Sequence, residues 1–290
     1  MGKCEKWTVA YRKRNGTATL IDDPAAPFTP IPNTWRYWRA DPFLFEQDGK
    51  TFLFAELYDR MHLRGVIGYC ELTEEGAGEW SIVIEEPFHL SYPFLFCRGD
   101  QVYMIPESFR GGKILLYKAV RFPDRWEKVR ELADMVAVDS TVIHTDGGDY
   151  MLTFRIIERQ AELVCMAVSE TLELSQPRVL SEKEDPNARP AGNAFYRDGE
   201  LIRPTQDCTR GYGYALNFAR ISRLDENGYE EQLFKKILPE DVKIQGVSTP
   251  EGIHTYNMTH KYEVIDYKEY EFGLVCKAAR VIWRLTGRTN

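Results

Sequence analysis

Short apolar runs alternate with tight turns along most of the chain, a pattern that is typical of antiparallel strands. The first clear unit runs from Arg39 to Glu56, where an apolar run is followed by the turn Gln47-Asp48-Gly49-Lys50 and then by four β-forming residues. The glycine suits a turn that needs a positive φ. The stretch therefore predicts a β-hairpin with an acid, Asp41 or Glu56, at each open end.

The same hairpin pattern recurs along the chain. Counted from Asp41, the equivalent starting residues are Tyr92, Asp139, Asn193 and His254, at intervals of 51, 47, 54 and 61 residues. Intervals of this size are typical of the blades of a β-propeller. Further short apolar runs between the hairpins supply the remaining strands of four-stranded blades. Five units therefore predict an all-β fold, a five-bladed β-propeller.

The first and last units predict how the ring closes. Residues 7–12 resemble the third strand of the later blades, and the fifth hairpin lies near the C-terminal end of the sequence. We expect residues 5–22 to join residues 247–272 in one blade, because this pairing covers the sheet edges at the seam. Residues 1–290 are interpreted as a single domain, with the other blades at residues 35–90, 91–137, 138–188 and 189–246.

The two ends of the sequence carry weaker signals. Residues 273–290 could form a short amphipathic helix that packs beneath the propeller or, alternatively, binds a membrane surface or a partner. The N-terminal residues show no secretion signal, and no apolar run approaches the length of a transmembrane segment. We therefore expect a soluble, cytoplasmic protein.

Composition narrows the class of function. The chain is 43% hydrophobic and 28% charged, with a formal net charge of −7. Nucleic-acid binding requires a basic surface, so the acidic balance argues against nucleic acid as a partner. Six cysteines are scattered without any Cys-x-x-Cys pair, which favours reduced, buried thiols over disulfide bonds or a zinc site.

Polar residues recur at the hairpin ends that should face a central funnel. In a propeller, the start of the first strand and the end of the second strand of each blade lie at the same face. Turn chemistry could account for any single Asp or Asn at a strand start. The recurrence of polar residues in all five units favours a catalytic site. In such a site, neighbouring carboxylates shift each other's pKa values apart. The positions carry Asp41 with Glu56, Tyr92 with Glu107, Asp139 with Arg155, Asn193 with Gln206 and Asp207, and His254.

Several of these motifs resemble those of known families. The Ala40-Asp41-Pro42 start of blade one resembles the base-bearing motif of family 43 glycoside hydrolases and of related five-bladed propeller enzymes that act on furanosides and fructans. A wider set is similar to the N-terminal propeller domain of glucosamine inositolphosphorylceramide transferase-like proteins, a domain found beside glycosyltransferase modules. That set comprises residues 39–43, 92–94, 106–108, 139–141, 189–194, 203–206 and 252–257.

The hydrolase resemblance implies roles for three carboxyl groups. Asp41 would be the general base, or the nucleophile of a retaining enzyme, and Glu107 would be the general acid. Asp139 would orient the sugar and tune the pKa of Glu107. Two carboxyl groups beside a glycosidic bond are the minimum for this reaction. Glu56 competes with Glu107, because it takes the equivalent position in blade one.

The remaining funnel residues are expected to contact the substrate. Four of them are arginines, more than a neutral sugar needs, which indicates an acidic sugar, a phosphate or a nucleotide sugar unless each arginine pairs with a nearby acid. Aromatic residues such as Trp38 and Tyr212 suit stacking on sugar rings, but they also suit a core. The expected substrate-binding residues are Arg39, Glu56, Tyr92, Arg155, Arg189, Asn193, Arg203, Gln206, Asp207 and His254.

His254 could ligate a metal, but no partner accompanies it at ligand spacing in the sequence. A hydrogen-bonding histidine at the floor of the pocket is therefore favoured. His89 and the other histidines have no partner that the sequence reveals. The chain has no Gly-rich phosphate loop and no serine-nucleophile elbow. We expect neither a metal nor a cofactor.

The leading hypothesis is a carbohydrate-active enzyme that cleaves or transfers a glycosyl unit by carboxylate acid–base catalysis. The alternative is a non-catalytic module that binds a glycan or nucleotide sugar and supports a glycosyltransferase partner in polysaccharide or glycolipid synthesis. A protein-binding scaffold is a third hypothesis, which the polar funnel disfavours.

Overall fold

The computed structural model describes residues 3–14, 16–158, 160–182 and 184–272, and these fold into five antiparallel sheets. The N-terminal segment contributes β1 (Lys3–Lys13) and β2 (Thr29–Pro30). Blade one contains β3 (Tyr37–Gln47), β4 (Lys50–Asp59), β5 (Arg64–Thr73), β6 (Gly76–Ala77) and β7 (Ser81–Ile84). Blade two contains β8 (Ser91–Arg98), β9 (Gln101–Glu107), β10 (Ile114–Arg121) and β11 (Arg125–Ala133).

The remaining three blades follow the same plan. Blade three contains β12 (Ala137–Thr145), β13 (Gly148–Ile157), β14 (Gln160–Val168) and β15 (Arg178–Val179). Blade four contains β16 (Phe195–Arg197), β17 (Glu200–Asp207), β18 (Ala215–Asp225) and β19 (Gly228–Ile237). The last hairpin is β20 (Gly252–Met258) and β21 (Tyr262–Phe272), and the helical segments of the described residues are two 3-10 turns, Phe109–Gly111 and Pro239–Asp241. The predicted all-β, five-bladed propeller is confirmed.

The N-terminal strands complete the last blade, as the sequence predicts. The sheet order is β2-β1-β21-β20, and β1 pairs with β21 from Lys3 opposite Phe272 to Lys13 opposite Tyr262. β1 is therefore the third strand of this blade. The proline-rich segment supplies only the short outer strand β2, which agrees with the restriction of proline to sheet edges. The expected C-terminal helix falls outside the described residues.

A two-residue bulge opens the inner strand in four of the five blades. In β3, Asp41 and Pro42 stand opposite one residue of β4, because Ala40 pairs with Glu56 and Phe43 with Phe54. Such a bulge re-aims the side chain that it contains. Equivalent bulges contain Tyr92-Pro93, Asp139-Ser140 and His254-Thr255.

The bulges place unusual backbone angles at the predicted starting residues. Asp41, Tyr92 and Asp139 have φ values of 50°, 43° and 53°, a region that a bulky residue such as tyrosine rarely occupies. In blade four the interruption is longer, since β16 begins only at Phe195, and Gly192 takes the positive φ of 132°. A Cβ at this glycine would lie 2.0 Å from a backbone oxygen, so no other residue fits.

Hydrogen bonds tie the blades together across the propeller axis. The Tyr92 hydroxyl lies 2.9 Å from Thr141 Oγ1 and accepts the Gly192 N–H at 2.7 Å, which joins blades two, three and four. Asn257 of β20 donates to the Pro42 carbonyl at 2.6 Å and accepts the Asn193 N–H at 2.8 Å. Together these contacts connect the starts of the inner strands of all five blades. None of the described helices is long and apolar enough to cross a membrane.

Candidate functional site

A cavity of about 270 Å³ opens at the funnel face, and we call it the central cavity. Its walls come from blades one, two and four and from the last blade. They combine acidic, basic and aromatic side chains in a small volume. The lining residues are Glu5, Trp7, Trp38, Ala40, Asp41, Glu56, Tyr58, His89, Ser91, Glu107, Arg189, Tyr212 and His254.

Asp41 and His254 form one side of the cavity floor, and both are buried. His254 Nδ1 lies 2.7 Å from Asp266 Oδ1, and its Nε2 lies 3.4 Å from Asp41 Oδ1. Asp41 also accepts the Thr255 hydroxyl at 2.8 Å and the Tyr92 N–H at 3.2 Å. His254 is thus held between two carboxylates, which agrees with the hydrogen-bonding role expected for it.

Asp266 is the centre of this arrangement. One of its oxygens accepts the Asp41 N–H at 2.8 Å, and the other accepts the Thr255 N–H at 2.9 Å. It therefore fixes the bulges of blade one and of the last blade at the same time. Asp41, His254 and Asp266 also bring one possible ligand atom each within 4.8 Å of one another, so they are the group of described residues that a metal ion could use.

Asp139 lies behind the cavity wall and acts through Arg189. The Arg189 Nε donates to Asp139 Oδ2, which also accepts Gln206 Nε2 at 3.1 Å. Arg189 Nη2 lies 3.9 Å from Glu107 Oε2, and the guanidinium carbon Cζ lies 4.9 Å from the centre of the Tyr212 ring. Arg189 thereby links the buried Asp139 to the cavity carboxyl group of Glu107.

The carboxyl groups that line the central cavity differ from one another in pKa. Burial and the charge of Asp139 raise the pKa of Glu107 to about 8, although Arg189 opposes the shift. Burial raises the pKa of Asp41 to about 6, against the opposing charge of His254. Burial, together with Asp41 and Glu107, raises the pKa of Glu56 well above its usual range. At neutral pH, Glu107 carries a proton and Asp41 is mostly ionised.

Glu56 lies beside two residues that sequence reasoning did not connect to it, His89 and Gly65. His89 Nδ1 accepts the Gly65 N–H at 2.9 Å, so the ring proton lies on Nε2, which is 3.5 Å from Glu56 Oε1. Burial and Arg110 lower the pKa of His89 to about 4, and the ring is neutral. A Cβ at Gly65 would lie 2.5 Å from Glu56 Oε1, so the glycine leaves room for the carboxyl group.

Aromatic rings form the upper walls of the cavity. Trp38 and Tyr58 stack with ring centres 4.4 Å apart and planes 8° from parallel. Trp7 stacks on His254 at 3.9 Å, and Tyr212 meets the edge of His254 at 5.2 Å. Flat aromatic faces beside polar groups suit a ring-shaped ligand with hydroxyl groups.

A family model described as "Glucosamine inositolphosphorylceramide transferase 1, N-terminal" matches residues 31–267. The match takes in the four bulges, the irregular start of blade four and most of the residues that line the central cavity. The chain belongs to this family. The resemblance stated from the motifs is therefore confirmed.

Two relatives carry the family name in full. Glucosamine inositolphosphorylceramide transferase 1 of Oryza sativa subsp. japonica is 33% identical over 203 residues, which cover 66% of this chain and 27% of the rice protein. The Arabidopsis thaliana protein of the same name is 32% identical, with 66% of this chain and 26% of that protein covered. The chain thus matches about a quarter of the length of these curated relatives.

The chain shares its fold with solved glycoside hydrolases. An α-L-arabinofuranosidase from Podospora anserina, in complex with cellotriose, has a TM-score of 0.60 at 11% identity and covers 90% of this chain and 97% of its own. The GH43_1 enzyme from Xanthomonas citri, complexed with xylotriose, scores 0.57 at 13% identity and covers 81% and 88%. At sequence identities this low, the similarity shows a shared propeller fold and nothing further.

The structure brings five of the residues predicted for the site to the wall of the central cavity and distributes the others elsewhere. Asp41, Glu56, Glu107, Arg189 and His254 line it, whereas Asp139 and Gln206 support Arg189 from behind. Tyr92 and Asn193 take part in the hydrogen bonds that connect the blades.

Four of the predicted substrate-binding residues have partners away from the described cavity wall. Arg39 donates to the Pro32 carbonyl at 2.7 Å, and its guanidinium lies over Trp80. Arg155 pairs with Glu162, and Arg203 pairs with Glu231 at 2.7 Å. Asp207 accepts the Thr209 hydroxyl and pairs with Lys236 at 2.6 Å. Of the four predicted arginines, only Arg189 belongs to the lining residues of the described cavity.

Several residues in or directly behind the wall of the central cavity were missed or left without a role. His89 has a partner after all, the Gly65 N–H, and Asp266 was not singled out among the acids of β21. Trp7 and Tyr58 lie on strands β1 and β4, at positions that read as ordinary strand residues. A search for polar residues opposite each bulge would have found Asp266, because it faces the His254-Thr255 bulge from within β21.

Proposed function

We propose that the central cavity binds a sugar and catalyses the cleavage or transfer of a glycosyl unit. The observation that carries this proposal is that Asp41 and Glu107 line the same cavity with different pKa values. These values, about 6 for Asp41 and about 8 for Glu107, leave Asp41 ionised and Glu107 protonated at neutral pH. A base and an acid in one cavity are the requirement for glycoside hydrolysis.

The proposed steps assign one proton transfer to each carboxyl group. Asp41 takes a proton from a water molecule as the water oxygen forms its bond to the anomeric carbon. Glu107 gives its proton to the leaving oxygen as the glycosidic C–O bond breaks. The charge of Asp139 helps to keep Glu107 protonated, and Arg189 holds Asp139 in place. In transfer, an acceptor hydroxyl takes the place of water.

The aromatic walls and the comparisons support the choice of substrate class. The half-buried rings of Trp38 and Tyr58 line the cavity, where a sugar ring can stack. The solved proteins of the same fold include an arabinofuranosidase and a xylosidase. We therefore propose that the ligand of this chain is a sugar.

A hydrolysis and binding assay tests this proposal. The chain would be incubated with aryl glycosides and oligosaccharides of arabinose, xylose, glucose and glucosamine, and products and binding would be measured in parallel. We expect turnover by the wild type, and Asp41→Asn and Glu107→Gln to lower it about 10²- to 10⁴-fold while sugar binding persists. Glu127→Gln, on the exposed strand β11, is the matched control that should leave turnover unchanged. A wild type that binds no sugar would overturn the proposal.

The alternative is a non-catalytic sugar-binding module that supports a glycosyltransferase partner. The length of the relatives favours it, because the matched region covers about a quarter of proteins that are named transferases. In that case the wild type binds sugars without turnover, and neither Asp41→Asn nor Glu107→Gln changes any product yield. The same assay therefore separates the two functions.

A further inference from the structure

The turn before β3 presents the most exposed large hydrophobic side chain that the structure describes. Trp35 is 76% exposed, although tryptophan is highly buried on average. Its turn is closed by two hydrogen bonds, from the Thr34 N–H to the Tyr37 carbonyl at 3.0 Å and from the Tyr37 N–H to Thr34 Oγ1 at 2.9 Å. Trp35 therefore contributes little to the core, and its position needs another explanation.

A buried carboxyl group holds this turn in place. One oxygen of Asp59 accepts Arg36 Nε at 3.1 Å and Arg36 Nη2 at 2.7 Å. The other oxygen accepts the Met61 N–H at 2.8 Å, and the Arg36 carbonyl accepts the Arg60 N–H at 3.0 Å. The turn that carries Trp35 is thus joined to the turn between β4 and β5. Its backbone is held in one conformation before a ligand binds, which lowers the entropic cost of binding.

Trp35 lies beside the central cavity, where the chain passes from the last blade to blade one. Asn33 Nδ2 donates to the carbonyl of Trp7, a lining residue, at 2.7 Å. Trp38, three positions after Trp35, lines the cavity from β3. Three residues span at most about 11 Å of chain. A ligand whose first ring lies beside Trp38 can therefore reach Trp35 with a second ring.

The central cavity has room for little more than one sugar ring. Its volume of about 270 Å³ lies just below the range of pockets that enclose a whole drug-sized ligand. Further units of a longer ligand must therefore lie outside the cavity, along the rim of the funnel. On the side of blade one, that rim carries the exposed ring of Trp35.

The cations of the two joined turns already have acidic partners. The pairs are Arg36 with Asp59, Arg60 with Glu271 and Arg64 with Glu85. A phosphate or an acidic sugar at this rim would have to displace an ion pair. The apolar face of a neutral sugar ring requires only the flat indole of Trp35.

We propose that Trp35 forms an outer sugar-binding subsite, so that the ligand of the central cavity is a glycan of at least two units whose second ring is neutral. This inference rests on the proposed function and adds the length of the substrate. A single aromatic ring among hydrogen-bonding groups suits a sugar, which has both an apolar face and hydroxyl groups. A partner protein would instead need a contiguous apolar patch, and the two turns expose one other large hydrophobic side chain, Leu63.

The test measures the binding of sugars of increasing length. Glucose, xylose and arabinose would be titrated beside their di- and trisaccharides in the Asp41→Asn background, where slow hydrolysis leaves the ligands intact. We expect the di- or trisaccharide of at least one series to bind about three- to tenfold more tightly than its monosaccharide. We also expect part of the change in tryptophan fluorescence on binding to come from Trp35.

Trp35→Ala should abolish the gain in affinity with length and leave monosaccharide affinity unchanged. Trp35→Phe keeps an aromatic face, so it should retain most of the gain while it removes the fluorescence change that belongs to Trp35. The matched control is Tyr196→Ala. This tyrosine is 60% exposed and lies on β16 near the turn that faces away from the funnel, so its removal should alter neither affinity nor fluorescence change.

Oligosaccharides that bind no more tightly than monosaccharides, or a Trp35→Ala variant that weakens both equally, would overturn this inference but leave the proposed function intact. Phosphatidylcholine vesicles supply a further comparison. If Trp35→Ala lowered vesicle binding and left every sugar affinity unchanged, Trp35 would contact a membrane, which would also overturn the inference alone. Absence of binding by all the sugars would overturn both the inference and the proposed function.

Discussion

Glu56 and Glu107 occupy the same position in neighbouring blades. Glu56 pairs with Ala40 and Glu107 with Ser91, in each case the residue directly before the bulge of the inner strand. The two carboxyl groups differ in their surroundings: Glu56 faces the neutral His89, whereas Glu107 faces the cation Arg189. Identical register thus leads to two chemically distinct acids in one cavity.

The first prediction concerns which of the two acids delivers a proton. If Glu107 is the general acid, Glu107→Gln should slow cleavage most for leaving groups of high pKa, by about 10²- to 10⁴-fold, and least for activated aryl leaving groups. Glu56→Gln should instead raise KM with little change in kcat. Steady-state kinetics on a series of aryl glycosides measures both. If Glu107→Gln slowed cleavage equally for all leaving groups, another residue would be the general acid.

The second prediction concerns stability as a function of pH. The folded-state pKa of Glu107 is about 8, against an ordinary value of 4.5, so between these values the folded protein holds a proton that the unfolded chain has lost. The free energy of unfolding should therefore fall as pH rises, and Glu107 contributes a loss of about 1.5 kcal/mol between pH 6.5 and 8. His254, whose pKa is raised by Asp266 and Asp41 against the effect of burial, acts in the same direction.

Urea denaturation of the wild type and of Glu107→Gln at pH 6.5 and pH 8 isolates the contribution of Glu107 to the change in unfolding free energy. The variant should lose less stability across the interval than the wild type does. His89, with its lowered pKa, makes a small contribution of opposite sign, because its unfolded imidazole is still about half protonated at pH 6.5, but that contribution is the same in both proteins and cancels in the comparison. Parallel pH dependence in the two proteins would show that Glu107 is ionised when folded.

The third prediction separates a structural arginine from a substrate-binding one. Arg203 is 1% exposed and pairs with Glu231 at 2.7 Å, so Arg203→Met should cost about 3 to 5 kcal/mol of unfolding free energy by leaving a charge without its partner. Replacing both residues by methionine should restore much of the loss. Sugar affinity should stay constant throughout, and a change of more than about threefold in Kd for a folded variant would place Arg203 in the binding site.

The fourth prediction uses a glycine as a probe of the Glu56 position. Gly65→Ala places a Cβ 2.2 Å from the Leu90 carbonyl and 2.5 Å from Glu56 Oε1, so either the strand or the carboxyl group must move. We expect a loss of about 1 to 3 kcal/mol in stability and weaker sugar binding. The matched control is Gly147→Ala, where the nearest atom lies 3.7 Å away. Equal stability and affinity in both variants would contradict the close packing around Glu56.

The fold was accessible from the sequence because its signals are local. Each blade repeats an apolar run, a glycine turn and a second apolar run, and the spacing of Asp41, Tyr92, Asp139 and His254 marks the bulges that the structure contains. The irregular start of blade four, at Asn193, was also placed within a few residues. The closure of the propeller ring by β1 was predicted from the similarity of residues 7–12 to the third strands of the later blades.

The charge balance of the site was decided by the tertiary structure alone. Arg39, Arg155 and Arg203 read as substrate-binding residues in the sequence, yet each finds a partner on another strand of its own blade or in a linker. His254 meets Asp41 across 213 positions of the chain, since the last blade closes against the first. Strand position depends on residues close in sequence, whereas the pairing of charges depends on which blades become neighbours. For that physical reason the sequence determined the propeller and the location of its funnel, and only the folded chain determined which carboxyl groups are left for a ligand.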